Sequence, residues 1–191
     1  MFPLLLNHPP VVIPTFFFMV MFGSLAAIFY IYFQAKKQGL SQIAILDGGM
    51  LGLVFGMIGA RLFHVFFEAW WFYKDDYWRI LEVWRGGFVS YGAFIGGTIA
   101  SVLYLRARKL DVWNYGDLVA LGLPIIIFSV RVGCLGAGCC YGKPTDFFIH
   151  LVFDHLFTPE GQPNYSGIAI HATQPYAMAY AAGLFLFLNW M

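Results

Sequence analysis

The chain has 191 residues, of which 60% are hydrophobic and 11% charged, with a formal net charge of +1 and a mean hydropathy of +0.71. Soluble domains carry about 25% charged residues, so this composition excludes a water-soluble globule and reads as an integral membrane protein. A near-neutral chain also lacks the basic excess that releases counterions from a phosphate backbone, which excludes nucleic acid as an expected partner.

Five apolar runs follow one another, over residues 11–33, 43–67, 88–105, 113–133 and 176–191. They predict an all-α, polytopic transmembrane helix bundle of about five spanning segments, with residues 1–191 as a single integral membrane domain. No lysine or arginine precedes Lys36, so the first run lacks the charged start of a cleavable signal and is expected to be a retained span. The last run has 16 residues, about 24 Å of helix against a hydrocarbon core of about 30 Å, and the chain is expected to be a shortened version of a longer one.

Loop charges set an orientation. Lys36 and Lys37 follow the first run and Arg106, Arg108 and Lys109 follow the third, which places those loops in the cytoplasm and the N-terminus outside. The loop after the second run mixes Lys74, Arg79 and Arg85 with Asp75, Asp76 and Glu82. It also carries Trp70, Trp71, Tyr73, Tyr77, Trp78 and Trp84, amphipathic rings suited to the outer headgroup level. Residues 143–173 hold Pro144, Pro159, Gly161, Pro163 and Gly167 and are expected to form an extracytoplasmic loop with little regular structure. Gly52 and Gly56 in the second run, and Gly92, Gly96 and Ala100 in the third, repeat at a spacing that lets helix backbones approach.

Ionisable groups at membrane depth are costly, which makes Arg61, His64 and Arg131 candidates for function. With the N-terminus outside, both arginines fall in outward halves of their helices, where a guanidinium suits a lipid phosphate through paired hydrogen bonds. The bland alternative is that they snorkel or pair with Asp47, Glu68 or Asp117. Cys134, Cys139 and Cys140 cluster at the end of the fourth run, and a structural disulfide, packed thiols, zinc ligation and reactive thiols all remain open readings. No phosphate-binding glycine loop or nucleophilic-serine elbow occurs.

The stretch from Arg131 to Thr145, RVGCLGAGCCYGKPT, resembles the signature of the prolipoprotein diacylglyceryl transferase family, Arg-x-Gly-Asn-Phe-x-Asn-Gly-Glu followed by x-x-Gly-Arg-Pro. Arg131, Gly133, Gly138, Gly142 and Pro144 match without a gap. Upstream, Gly59-Ala60-Arg61-Leu62 resembles the family's Gly-Gly-Arg-Leu, and Gly86-Gly87 with Ser90-Tyr91-Gly92-Ala93 resembles its Gly-Gly then Phe-His-Gly-Gly. Tyr115-Gly116-Asp117 with Pro124, and Thr173-Gln174-Pro175-Tyr176, follow in the family's order. Tyr91 stands where the family has a histidine, Cys134 and Ala137 where it has asparagines, Cys139 and Ala177 where it has glutamates, and Lys143 where it has an arginine.

The resemblance implies transfer of a diacylglyceryl group from phosphatidylglycerol to the lipobox cysteine thiol of a prolipoprotein. Both substrates, with membrane lipid, are then the expected partners, at the outer leaflet of a bacterial cytoplasmic (inner) membrane. It implies Tyr91 and Arg131 as catalytic residues and Arg61, Arg131, Gly133, Cys134, Gly138 and Lys143 as substrate-binding residues, with no cofactor, no metal and no stated oligomeric order. His64 is the nearest alternative base. Two other readings stand beside it: a non-catalytic lipid- or lipoprotein-binding relative without the family histidine, and an extracytoplasmic thiol- or metal-handling protein.

Overall fold

A computed structural model describes residues 4–8, 11–83, 86–153, 156 and 164–191. Trp84, Arg85, Pro159, Gly161 and Pro163, named above, lie outside the described residues. The fold is an all-α membrane helix bundle with two small antiparallel ribbons.

The chain begins with a hairpin of β1 (Leu4–His8) and β2 (Val11–Pro14), and α1 runs over Thr15–Lys37. The first helix therefore starts four residues later than its apolar run. Pro14 lacks an amide donor and biases Ile13 toward extended backbone, so the apolar run divides at the proline. Next come α2 (Gln42–Phe63), a π-helical turn over His64–Glu68, the short α3 (Trp70–Tyr73), a 3-10 turn over Tyr77–Leu81, and α4 (Ser90–Ala107). The long helix α5 covers Val112–Ala137, and β3 (His150–Val152) pairs with β4 (Ala169–His171) before α6 (Thr173–Trp190). Within the stretch 143–173, expected to have little regular structure, the described residues thus hold a short ribbon, and Pro144 bridges to Ile170 and draws the ribbon's edge to the end of the signature.

Among the described residues, three helices are long and apolar enough to cross a bilayer: Thr15–Lys37, Gln42–Glu68 including its π turn, and Val112–Ala137. The other two long helices, α4 and α6, have 18 residues each, about 27 Å. Exposed side chains such as Met21, Phe22, Leu25 and Phe29 on α1, and Met50, Val54 and Met57 on α2, are apolar, as lipid-facing surfaces require.

The chain packs as two units, residues 1–31 with 118–191, and residues 32–117. In the second, α2 and α4 pack backbone to backbone. A Cβ on Gly59 would run into the Gly92 carbonyl and one on Gly92 into that of Gly59, while Gly97 would meet the Gly52 carbonyl at 2.9 Å and Gly56 that of Ala93 at 3.1 Å. Tyr104 donates to Asp47 at 2.7 Å and Ser101 to the Gly48 carbonyl at 3.2 Å, closing the far end of this contact. Ser41 caps α2 by accepting from Ala44 N–H at 3.3 Å, and its own N–H donates to the Tyr115 hydroxyl at 3.0 Å.

In the first unit α1 packs on α5 by the same means. A Cβ on Gly122 would meet Ile31 at 2.5 Å, one on Gly133 would meet Met19 at 3.0 Å, and one on Gly23 would overlap Ser129. Tyr30 of α1 donates to the Asn189 side chain of α6.

Candidate functional site

The second unit contains a cleft of about 350 Å³ lined by Arg61, His64, Trp71, Tyr73, Glu82 and Gly87 among others. Arg61 is 6% exposed, so its guanidinium needs partners, and it finds them in one loop. Nε donates to the Ile80 carbonyl at 3.0 Å, Nη2 to those of Arg79 at 2.7 Å and Glu82 at 3.2 Å, and Nη1 to that of Gly87 at 3.2 Å and to that of Gly86. These five bonds match the five donors of a guanidinium. The Tyr73 and Phe88 rings lie 5.3 and 5.9 Å from Arg61 Cζ, on the same charge.

The loop can turn its carbonyls inward because Gly86 and Gly87 both take left-handed backbone, at φ +80° and +79°. At Gly87 a Cβ would also press on His64 Nε2 at 2.6 Å and Arg61 Nη1 at 2.9 Å. His64 opens the π turn, and its Nδ1 lies 3.0 Å from Glu68 Oε2 while its ring packs edge-on to Tyr73. Arg61 and His64 therefore share a face and both line the cleft, while Glu68, at the other end of the π turn, is largely exposed. Tyr91, in the first turn of α4, is 75% exposed.

The first unit holds the signature. Arg131 is half-buried near the end of α5, and among the described residues it makes no hydrogen bond or ion pair. Gly133 is buried against Phe16 and Met19, a packing position between α5 and α1. After Ala137 the helix closes in a Schellman turn: Gly138 has φ +68°, its N–H reaches the Leu135 carbonyl at 3.4 Å, and the Cys139 N–H reaches that of Cys134 at 3.1 Å. In such a turn the side chains at the Cys134 and Cys139 positions come together. Cys140 is a non-glycine residue at φ +58°, and the thiols of Cys134, Cys139 and Cys140 all lie within 4.8 Å of one another and are unbridged.

Two residues that open α6 hold this bend. Thr173 donates to the Cys140 carbonyl at 2.7 Å, and Gln174 Nε2 donates to the Cys139 carbonyl at 2.8 Å. Gln174 is fully buried, and its Oε1 has no hydrogen-bond partner among the described residues. Hydrogen bonds from the Cys134 and Cys139 thiols hold the Cys140 thiol well below the ordinary range, and the Arg131 charge acts in the same direction. Lys143 is exposed, and its carbonyl accepts from His171 N–H at 3.0 Å. Gly142 lies so close to His171 that a Cβ would stand 2.6 Å from that side chain.

Charge and residue type single out Arg61, Arg131 and the cysteines but give no role to Gln174 and Thr173. The signal for these two lies in the polar Thr-Gln pair that precedes Pro175 at the mouth of an apolar run.

A family model described as prolipoprotein diacylglyceryl transferase matches residues 3–191. The chain is 34% identical over 175 residues to the phosphatidylglycerol–prolipoprotein diacylglyceryl transferase of Clostridium tetani, covering 90% of this chain and 66% of the relative. It is 30% identical over 173 residues to the second such transferase of Clostridium perfringens, covering 91% and 65%, and 28% identical over 173 residues to that of Oceanobacillus iheyensis, covering 87% and 59%. The chain thus spans about three fifths to two thirds of the length of these relatives.

Proposed function

The chain belongs to the prolipoprotein diacylglyceryl transferase family, and from that premise we propose that it transfers the diacylglyceryl unit of phosphatidylglycerol to the lipobox cysteine of a prolipoprotein. The site faces the extracytoplasmic leaflet of a bacterial cytoplasmic membrane, with the N-terminus outside, in keeping with the basic loops at Lys36–Lys37 and Arg106–Lys109.

The observation that carries this reading is Arg131. A half-buried guanidinium in an apolar helix, without a hydrogen bond or ion pair among the described residues, presents its donors to an anion. In the reaction the thiol sulfur attacks the glycerol carbon that bears the phosphate. A C–S bond forms, the C–O bond breaks, and its electron pair leaves on glycerol phosphate. Arg131 binds that phosphate and stabilises the charge as it grows.

Arg61 acts differently from a second phosphate ligand. Its donors are engaged by residues 79–87, so it positions that loop and with it the cleft wall at His64. Gly133 and Gly138 shape the backbone around Arg131, and Lys143 adds a cation beyond the helix end. Tyr91 offers a hydroxyl in the place of the family's histidine. A phenol of pKa about 10 is a weak base near neutral pH, so Tyr91 orients substrate through a hydrogen bond and leaves proton removal to another group.

The test is turnover of labelled phosphatidylglycerol with a lipobox peptide by purified protein. Product that is absent from Arg131→Lys supports the reading. Phosphatidylglycerol binding without turnover favours the non-catalytic relative, for which Tyr91 in place of the histidine is the specific argument.

A further inference from the structure

The transfer reaction needs a thiolate, and the described site offers no strong base beside Arg131. It offers three thiols instead. We propose that Cys134, Cys139 and Cys140 bind one divalent cation of the zinc class as thiolates, and that its open fourth position takes the incoming lipobox thiol. The second half of this proposal rests on the transferase reading above; the first does not.

Four observations carry it. Tetrahedral zinc–thiolate bonds of about 2.3 Å place the sulfurs about 3.8 Å apart, so thiols already within 4.8 Å need to close by about 1 Å or less. Convergence is built into the backbone, because the Schellman turn brings Cys139 onto Cys134 and the left-handed Cys140 turns in the third thiol at a conformational cost. Thr173 and Gln174 hold the Cys140 and Cys139 carbonyls in that bend. Finally, Gln174 is itself fully buried, so the bend that gathers the thiols is anchored in the packed interior of its unit and not on a mobile surface side chain.

Charge selects the class of ion. Three thiolates with a divalent cation leave a single negative charge, which Arg131 balances; a monovalent ion would leave two. Soft sulfur ligands disfavour magnesium and calcium, and a disulfide would use only two of the three thiols.

Three protein ligands leave a fourth position open, as in catalytic rather than structural zinc sites. A thiol that coordinates there loses its proton to water, because the cation stabilises the thiolate. The bound sulfur then attacks the glycerol carbon, the C–O bond to phosphate breaks, and the neutral thioether, a weaker ligand, leaves for the next thiol. The oxidation state of the metal does not change.

The experiment is a cobalt(II) titration of the reduced full chain in detergent. The expected result is one cobalt per chain with an intense thiolate-to-cobalt absorption band, which Cys140→Ser, at an exposed position, weakens or shifts. Absence of the band in protein that shows three titratable thiols overturns the site without reliance on any variant. A lipobox peptide should then change the spectrum as sulfur replaces oxygen in the fourth position, and a peptide with serine for the lipobox cysteine should not. If the cysteine peptide leaves the spectrum unchanged while chelated enzyme keeps full turnover, thiol activation is overturned and the transferase reading stands. If cobalt binds but no preparation responds to peptide or turns over, the transferase reading fails with it and only the cation site survives.

Discussion

Replacing Arg61 by lysine separates a loop-positioning arginine from a phosphate ligand. The wild-type guanidinium makes five hydrogen bonds to backbone carbonyls between Arg79 and Gly87, in a side chain 6% exposed. A lysine ammonium has three donors, so at least two of those carbonyls lose their partner. Hydrogen bonds to a charged group contribute about 1.5–3 kcal/mol each, which puts the loss on the order of 3 kcal/mol or more for the loop. At about 1.4 kcal/mol per factor of ten, the open form of the loop should be populated more than about a hundredfold more often. Hydrogen–deuterium exchange of residues 77–89 in lipid nanodiscs reads this directly, with α5 as the internal reference. Faster exchange in the loop alone, with phosphatidylglycerol affinity reduced less than in Arg131→Lys, is the expected pattern. Unchanged loop protection together with a large loss of lipid affinity would refute the reasoning and return Arg61 to the phosphate.

The two loop glycines provide a matched pair. Gly86→Ala meets open space and should cost only the left-handed backbone penalty of about 1–2 kcal/mol, whereas Gly87→Ala also drives a Cβ into His64 and Arg61 and should lower the thermal midpoint clearly further. Single cysteines introduced at Arg108 and Asn164 into a chain whose native cysteines are serines should report opposite sides of the membrane. Asn164 should react with an impermeant reagent in intact cells, and labelling of position 108 alone would reverse the orientation. Tyr91→Phe should lower transferase turnover and Tyr91→His should retain or raise it; equal turnover for Tyr91→Phe and the parent would remove the hydroxyl from the reaction. Arg131→Lys should weaken phosphatidylglycerol binding by roughly tenfold or more, since a point-charge ammonium cannot reproduce paired guanidinium contacts, and unchanged binding would make Arg131 structural.

The helices are legible where apolar residues run without interruption, and their observed ends differ from the runs by a few residues. The difference at the N-terminus has a local cause: Val11, Val12 and Ile13 satisfy a spanning helix by hydropathy, but Pro14 breaks the run, and the backbone before it pairs as a hairpin. Spacing already marks Gly52, Gly56, Gly92 and Gly96 at the α2–α4 contact, where close backbone approach leaves no room for a side chain; Gly59, which meets Gly92 most closely, falls outside that spacing. Arg61 shows where such reading stops. Charge at membrane depth announces a role, but its partners here are backbone carbonyls, which have no residue type and leave no trace in sequence.

The cysteines are an intermediate case. A glycine at the end of an apolar helix predicts the Schellman turn, and that turn places Cys134 and Cys139 side by side by their sequence positions alone. The third thiol is hidden at that level, because it depends on a left-handed backbone at Cys140 that hydrogen bonds from Thr173 and Gln174, more than 30 residues away, hold in place. The two arginines that look alike in sequence are thus distinguished by their acceptors: Arg61 has a loop that saturates its donors, whereas Arg131 has an electrostatic neighbour in Cys140 and no hydrogen bond among the described residues. On the proposed reading, an anion at the signature would meet the second guanidinium and a thiol would meet the sulfur cluster beyond the same helix end, which would put the two substrates next to each other.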